Sequence, residues 1–220
     1  MKGKIFNILL IFILVAGLSL MLYPTISDAY NSYLQSQIIV EYSEQVNEME
    51  EEAFRKEMEA ARAYNKALTE RSDGFHLTEE LETEYWQRMS IASGDVMAYL
   101  EIPSISVTLP IAHGTDEKTL AQYVGHISWS SLPVGGAGTH CVVSGHRGLP
   151  SAELFTNVDR MEVGDRFRIH VLGQILDYRV FNIAVVEPYD YSLLRILEDK
   201  DLCTLVTCTP YGINSHRLLI

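Results

Sequence analysis

The chain has 220 residues, room for one ordinary domain with accessories, and carries 29 acidic against 17 basic residues, a net charge of −12. That balance excludes a general nucleic-acid binder, which needs a basic face. Three cysteines are an odd number, so they cannot make a complete disulfide framework; in an extracytoplasmic protein at least one thiol stays free.

The first predicted element is an apolar run from Ile5 to Tyr23, broken only by Asn7, Gly17 and Ser19 and preceded by Lys2 and Lys4. At helical rise it matches a bilayer core of ~30 Å, and it exceeds the apolar core of about 7–15 residues of a cleaved signal. Residues 1–24 are therefore read as a transmembrane anchor, with Ser27-Asp28-Ala29 leaving a cleavage site open. The two lysines stay cytoplasmic, which puts everything after Tyr23 on the extracytoplasmic side.

Residues 25–92 form an extracytoplasmic helical segment. From about 30 to 70 the chain lacks Pro and Gly and is rich in Glu, Ala, Met and Lys, with eight glutamates between Glu41 and Glu59 against Arg55 and Lys56. The plain reading is a solvated helix holding the rest off the membrane. The sharper one is that it leads into a regulatory segment, "ERSDGFHLTEE", with Asp73-Gly74 as its turn.

Residues 93–220 read as β. Short β-branched or aromatic runs ("VMAYLEIP", "ISVTLPIAHG", "THCVVSGH", "RFRIHVLG", "ILDYRVFNIAVVEP", "LCTLVTC", "SHRLLI") are punctuated by Gly, Pro, Asp or Asn. They predict a mainly β, antiparallel barrel or sandwich with brief helical patches at Glu117–Tyr123, Ala152–Asp159 and Ser192–Leu197.

Within "LCTLVTC", alternation puts Leu202, Thr204, Val206 and Cys208 on one face and Cys203, Leu205 and Thr207 on the other. Cys203 and Cys141 sit inside apolar strands and read as small buried hydrophobes. Cys208 ends its strand before Thr-Pro-Tyr-Gly, where a side chain is held rigidly yet exposed. A thiol nucleophile needs its proton managed and its charge stabilised. Arg217, across the expected hairpin, offers a permanent cation with a fork of donors, although the pairing register is left open, as is a surface arginine on an edge strand. Seven histidines compete for the proton: His76, His113, His126, His140, His146, His170 and His216. His146 stands in "SGHRGLP", a strand-end loop; His140 and His170 lie in strands; His216 points away from Arg217 by alternation. A zinc site from His140, Cys141, His146 and Cys208 has no Cys-x-x-Cys pair, and His140 and Cys141 face opposite ways.

"TLVTCTPYGINSHRLL" and "GHISWSSLPVGGAGTHCVVSGHRGLPSAELFTNVDRMEVGD" resemble the cysteine–arginine and histidine blocks of sortases, the membrane-anchored cysteine transpeptidases of Gram-positive bacteria, over roughly Met97 to Ile220. "SLPVGG", "THCVVSGHRGLPSAELF" and "EPYDYSLLRI" are most similar to class C, the pilin polymerases. The resemblance implies a closed antiparallel sortase barrel of about eight strands, with Cys208, His146 and Arg217 as catalytic residues and no cofactor or metal in the chemistry. It implies acyl transfer at an LPXTG-like signal of pilin or surface proteins, cleaving between Thr and Gly and joining the acyl group to a lysine amine of another pilin. It also implies a lid at Asp73-Gly74-Phe75, with glycine where the family's Asp-Pro-aromatic motif has proline. The chain stops at Ile220, inside the expected last strand, where many class C members continue to a second membrane helix. Other readings are a housekeeping sortase anchoring proteins to wall peptide, and a non-catalytic β-domain that only binds sorting signals.

Overall fold

In a computed structural model, residues 2–71, 74–93 and 95–220 are described. Helix α1 runs unbroken over Lys2–Glu48, with Pro24 inside it at the end of the apolar run. Its first half is long and apolar enough to cross a membrane, and among the described residues nothing buries that apolar window. Its second half carries an inward stripe at helical spacing: Asn31, Gln35, Ile38, Ile39, Tyr42 and Val46. Tyr42 is the anchor of that stripe. It is 2% exposed, meets Tyr99 edge-on at 6.1 Å, and its hydroxyl accepts the Leu172 N–H at 2.8 Å.

The Glu-rich region is not simply a solvated spacer. Helix α2 (Glu51–Thr69) buries Met58, Ala61, Tyr64, Asn65 and Leu68 at helical spacing, and all but Asn65 join the same apolar core as the strands. Glu51, Glu52 and Glu59 are exposed, whereas Glu57 turns towards the chain after α2 and accepts the Met89 N–H at 2.7 Å. Asn65 clasps the backbone of Leu132 from both sides, donating to its C=O at 3.0 Å and accepting its N–H at 2.7 Å. Helix α3 (Glu79–Gln87) starts at Thr78, whose hydroxyl accepts the Leu81 N–H, and buries Tyr85 completely.

Nine strands follow: β1 Val96–Ile102, β2 Val107–His113, β3 Val124–His126, β4 Thr139–Ser144, β5 Arg166–Val171, β6 Gln174–Arg179, β7 Ala184–Val186, β8 Asp201–Thr209 and β9 His216–Leu219. The short helix α4 (Glu117–Leu120) connects β2 to β3, capped by Asp116. The mainly β expectation holds, but a closed antiparallel barrel does not. The sheet is mixed and open, in the order β6-β5-β1-β2-β3-β4-β8-β9-β7. The pairs β2–β3 and β4–β8 are parallel: the connection through α4 joins the first, and β5, β6 and β7 lie between β4 and β8 in the chain. Among the described residues β6 and β7 do not pair. Val180 goes on bonding to Gly164 and Asp165 beside β5, so the end of β6 stays committed to that neighbour, and three-residue β7 pairs only with β9.

Of the predicted helical patches, the first yields α4, and the other two leave only single 3-10 turns at Val158–Arg160 and Ser192–Leu194. Strand β3 lies outside the predicted strands; of its three residues only Val124 favours a strand, and Gly125 disfavours one.

Candidate active site

Strand β8 delivers Cys208 as alternation predicts. Leu205 and Thr207 turn into the main core, while Val206 belongs to a second apolar cluster with Val142, Leu194 and Leu219 on the other face, the one Cys208 shares. Cys208 is half-buried at the strand's end. Its cross-strand partner in the antiparallel β8–β9 pair is Arg217. The guanidinium donates from Nη1 to the carbonyls of His216 at 3.1 Å and Asn214 at 3.3 Å, which anchors its base within the turn.

On the other side of β8 runs β4, parallel to it, with Ser144 opposite Val206. Pairing continues beyond the strand: the Gly145 N–H donates to the Val206 carbonyl at 3.0 Å, and the Thr207 hydroxyl donates to the Gly145 carbonyl at 2.8 Å. His146 therefore leaves β4 beside the end of β8 that carries Cys208. Three adjacent strands thus bring the three residues to one end of the sheet, with the thiol in the middle.

The histidine loop is built tightly. A Cβ at Gly145 would lie 2.7 Å from the Phe155 ring, so only glycine fits there. Arg147 is ion-paired with Asp159 and lies over the Tyr211 ring, 5.7 Å from its centroid. Gly148, at φ +78°, passes under the same ring, where a Cβ would come within 2.9 Å. Tyr211 belongs to the turn between β8 and β9, so the loop bearing His146 and the turn linking Cys208 to Arg217 hold each other. Sequence reading missed this; the only local signals were a glycine on each side of "HR" and the aromatic in "PYG".

The other histidines have structural partners. His140 bonds to the Arg195 carbonyl at 2.9 Å and the Thr204 hydroxyl at 2.7 Å, and His113 to the Asp95 carbonyl at 2.8 Å. Burial holds both rings below the ordinary imidazole range. His126 contacts Tyr85 and Ser131, His170 pairs with Glu101 at 2.8 Å, and His216 lies near Glu187 at 3.3 Å.

Asp73 lies outside the described residues. Phe75 packs 5.2 Å from Trp129 edge-on and 5.2 Å from Tyr191, while Trp129 and Tyr191 meet at 5.7 Å. Trp129 leans on the Val142–Val206 cluster, so Phe75 rests over the sheet face that presents Cys208. Arg71 fastens this segment. Its guanidinium donates to the carbonyls of His76 at 2.8 Å, Gly74 at 3.0 Å and Trp129 at 3.0 Å. Arg71, Trp129 and Tyr191 were not singled out in the sequence. A cavity of about 1130 Å³ opens beside them, lined by α2, Phe75, Trp129 and the glycine-rich stretch 135–138. It includes Thr139, at the start of β4, and so lies at the other end of the strands from the thiol.

Residues 100–220 match the sortase domain family. The chain is 42% identical to the crystal structure of sortase C1 from Streptococcus agalactiae, with a TM-score of 0.80, covering 83% of this chain and 95% of that one. It is 40% identical to the crystal structure of Streptococcus pneumoniae sortase C, with a TM-score of 0.73, over 83% and 93% of the two chains. Among curated proteins it is 31% identical to sortase D of Bacillus subtilis over 54% of this chain, and it spans 58% of that relative's length. With the family matched over more than half its length and class C enzymes as structural neighbours, the chain belongs to the sortase family and to its class C.

Proposed function

We propose that the chain is a cysteine transpeptidase that joins pilin subunits from the extracytoplasmic face of a Gram-positive membrane, anchored by residues 1–24 with residues 93–220 as the catalytic unit. The observation that carries this is Cys208 at the end of β8, with Arg217 as its direct partner on β9 and the His146 loop bonded to its other side. The Cys208 thiolate attacks the carbonyl between Thr and Gly of an LPXTG-like signal. Arg217 donates to the developing oxyanion from a fixed position, so little reorganisation is needed. His146 protonates the departing amine, then takes the proton of the incoming lysine amine as it attacks the thioester. Strand backbones hold Cys208 and Arg217, and the braced loop after β4 holds His146, which preorganises the site. No metal enters these steps.

In the same reading, the segment around Phe75 is a lid, and the aromatic contacts with Trp129 and Tyr191 support it. A lid mutant exists for S. agalactiae sortase C1, a structure 37% identical to this chain. The helical segment that carries this candidate lid favours pilin joining over wall anchoring. The test is incubation of the full chain with an LPXTG peptide and a lysine-bearing pilin peptide, followed by mass spectrometry. A thioester on Cys208 and an isopeptide product are expected. Cleavage with transfer only to wall-type amino groups would select the housekeeping reading, and binding without a thioester the non-catalytic one.

A further inference from the structure

The catalytic scheme uses one thiol of three. The other two stand directly opposite each other: Cys141 on β4 and Cys203 on β8 are register partners in the parallel pair. Register partners on neighbouring strands project to the same face, here the core side. Adjacent strands run ~4.8 Å apart, inside the Cα separation of about 4.4–6.8 Å that a disulfide spans. Two thiols on register partners at that spacing fall within a disulfide's reach.

Their surroundings differ. Cys141 is 2% exposed and adjoins His126. Cys203 is partly exposed and lines a cavity of about 450 Å³ with Phe167, Tyr178 and Ile220. The Cys203 thiol and the His126 ring draw Cys141 below the ordinary thiol range, while burial pushes Cys203 up. Cys203 borders the cavity, and Cys141 lies beside it within the core.

We propose that Cys141 and Cys203 are a redox pair that closes to a disulfide stapling β4 to β8. The oxidant is a small disulfide entering the cavity. The Cys203 sulfur gives up its proton and attacks one sulfur of that disulfide, expelling a small thiolate and leaving a mixed disulfide. Cys141, its proton lost, attacks the Cys203 sulfur of the mixed disulfide and expels the second small thiolate. Two protein thiols are oxidised, one small disulfide is reduced, and the two released thiolates take up the two protons. The staple falls on the two strands that end in the candidate site, since each cysteine stands five residues before a reactive one, His146 and Cys208. It works without turnover, so its failure and that of the transpeptidase reading are separable.

The experiment uses the full chain in detergent with Cys208→Ala, which removes the third thiol. The reduced protein is equilibrated with hydroxyethyl disulfide, denatured, treated with iodoacetamide and weighed intact. The expected product lacks two hydrogens, takes up no alkyl group and yields a peptide linking Cys141 to Cys203. With Cys141→Ser added, the reaction is expected to stop at a hydroxyethyl adduct on Cys203. The oxidised chain is expected to melt roughly 5 °C or more above the reduced one, as a closed long loop does. Two alkylated thiols after equilibration, a lasting adduct on Cys203 with Cys141 present, or a melting point unchanged or lowered by oxidation each overturns the proposal.

Discussion

Cys208 and Arg217 face each other across the β8–β9 pair, one position in from Thr209 and His216, the last pair before the turn. In an antiparallel pair directly opposed residues project from the same face, so the cation and the thiol share a side. The register that the sequence leaves open sets the cation beside the thiol, as the proposed oxyanion role requires.

Arg217→Lys is expected to leave the fold intact and still cost about 10²–10³ in turnover, the usual penalty for losing an oxyanion donor. Lysine keeps the charge but lacks the planar fork. His146→Ala is expected to be similarly damaging, because the other described strand histidines are committed to partners elsewhere. Rates on a fluorogenic sorting-signal peptide check both, and near-normal turnover removes the residue from the site.

Cys208→Ala is expected to abolish transpeptidation without unfolding the protein. Cys141→Ala and Cys203→Ala each keep activity and lose about 1–2 kcal/mol of stability as small core truncations. Pilin polymer ladders and melting curves for the three variants make the comparison; ladders from the Cys208 variant would be fatal to the assignment.

Phe75→Ala is expected to speed alkylation of Cys208, because in the proposed lid reading labelling follows the fraction of open molecules. Arg71→Ala is expected to do the same from a distance, since its guanidinium ties Gly74 and His76 to Trp129. Iodoacetamide labelling rates in a Cys141→Ala, Cys203→Ala background decide. Equal rates with and without these side chains make "SDGFH" a mere turn.

Gly145→Ala is expected to lower stability by about 1–3 kcal/mol, the cost of overpacking a tight site, because the new methyl meets the buried Phe155 ring. Peptide turnover is expected to fall with it as the His146 loop shifts. A variant with unchanged melting temperature and rate would mean that Phe155 yields freely.

Acid is expected to destabilise the protein in two stages. Desolvation holds His113 and His140 below their ordinary 6.5, so the unfolded chain binds protons first as pH falls. Their contribution is complete above 6.5 and is lost as pH drops through that value towards the lower folded-state values. Glu101, bonded to His170, and Asp116, capping α4 through Thr119, lie below the carboxylate range and contribute until more acid conditions. Replacing His113 and His140 by Gln is expected to flatten the first stage by up to about 1.4 kcal/mol per pH unit for each proton removed. Denaturant unfolding between about pH 7 and 5 measures it; an unchanged slope in the double variant refutes the assignment.

The apolar run that becomes the first half of α1, most of the strands and the position of Cys208 at a strand's end were legible in the sequence, because each rests on a local period or a short motif that one segment carries by itself. The family blocks named the cysteine, histidine and arginine together. What neighbours what came only from the tertiary structure. A strand of three residues has too few side chains to announce itself, and parallel pairing depends on crossovers that join distant segments. The inward stripe of α2 has an amphipathic period, yet whether it meets solvent or core depends on a partner surface elsewhere in the chain. The same holds for the opposition of Cys141 and Cys203 and for the clasp of Tyr211 on the His146 loop: each is a contact between remote segments, set by how the strands stack, and no property of either segment alone encodes it.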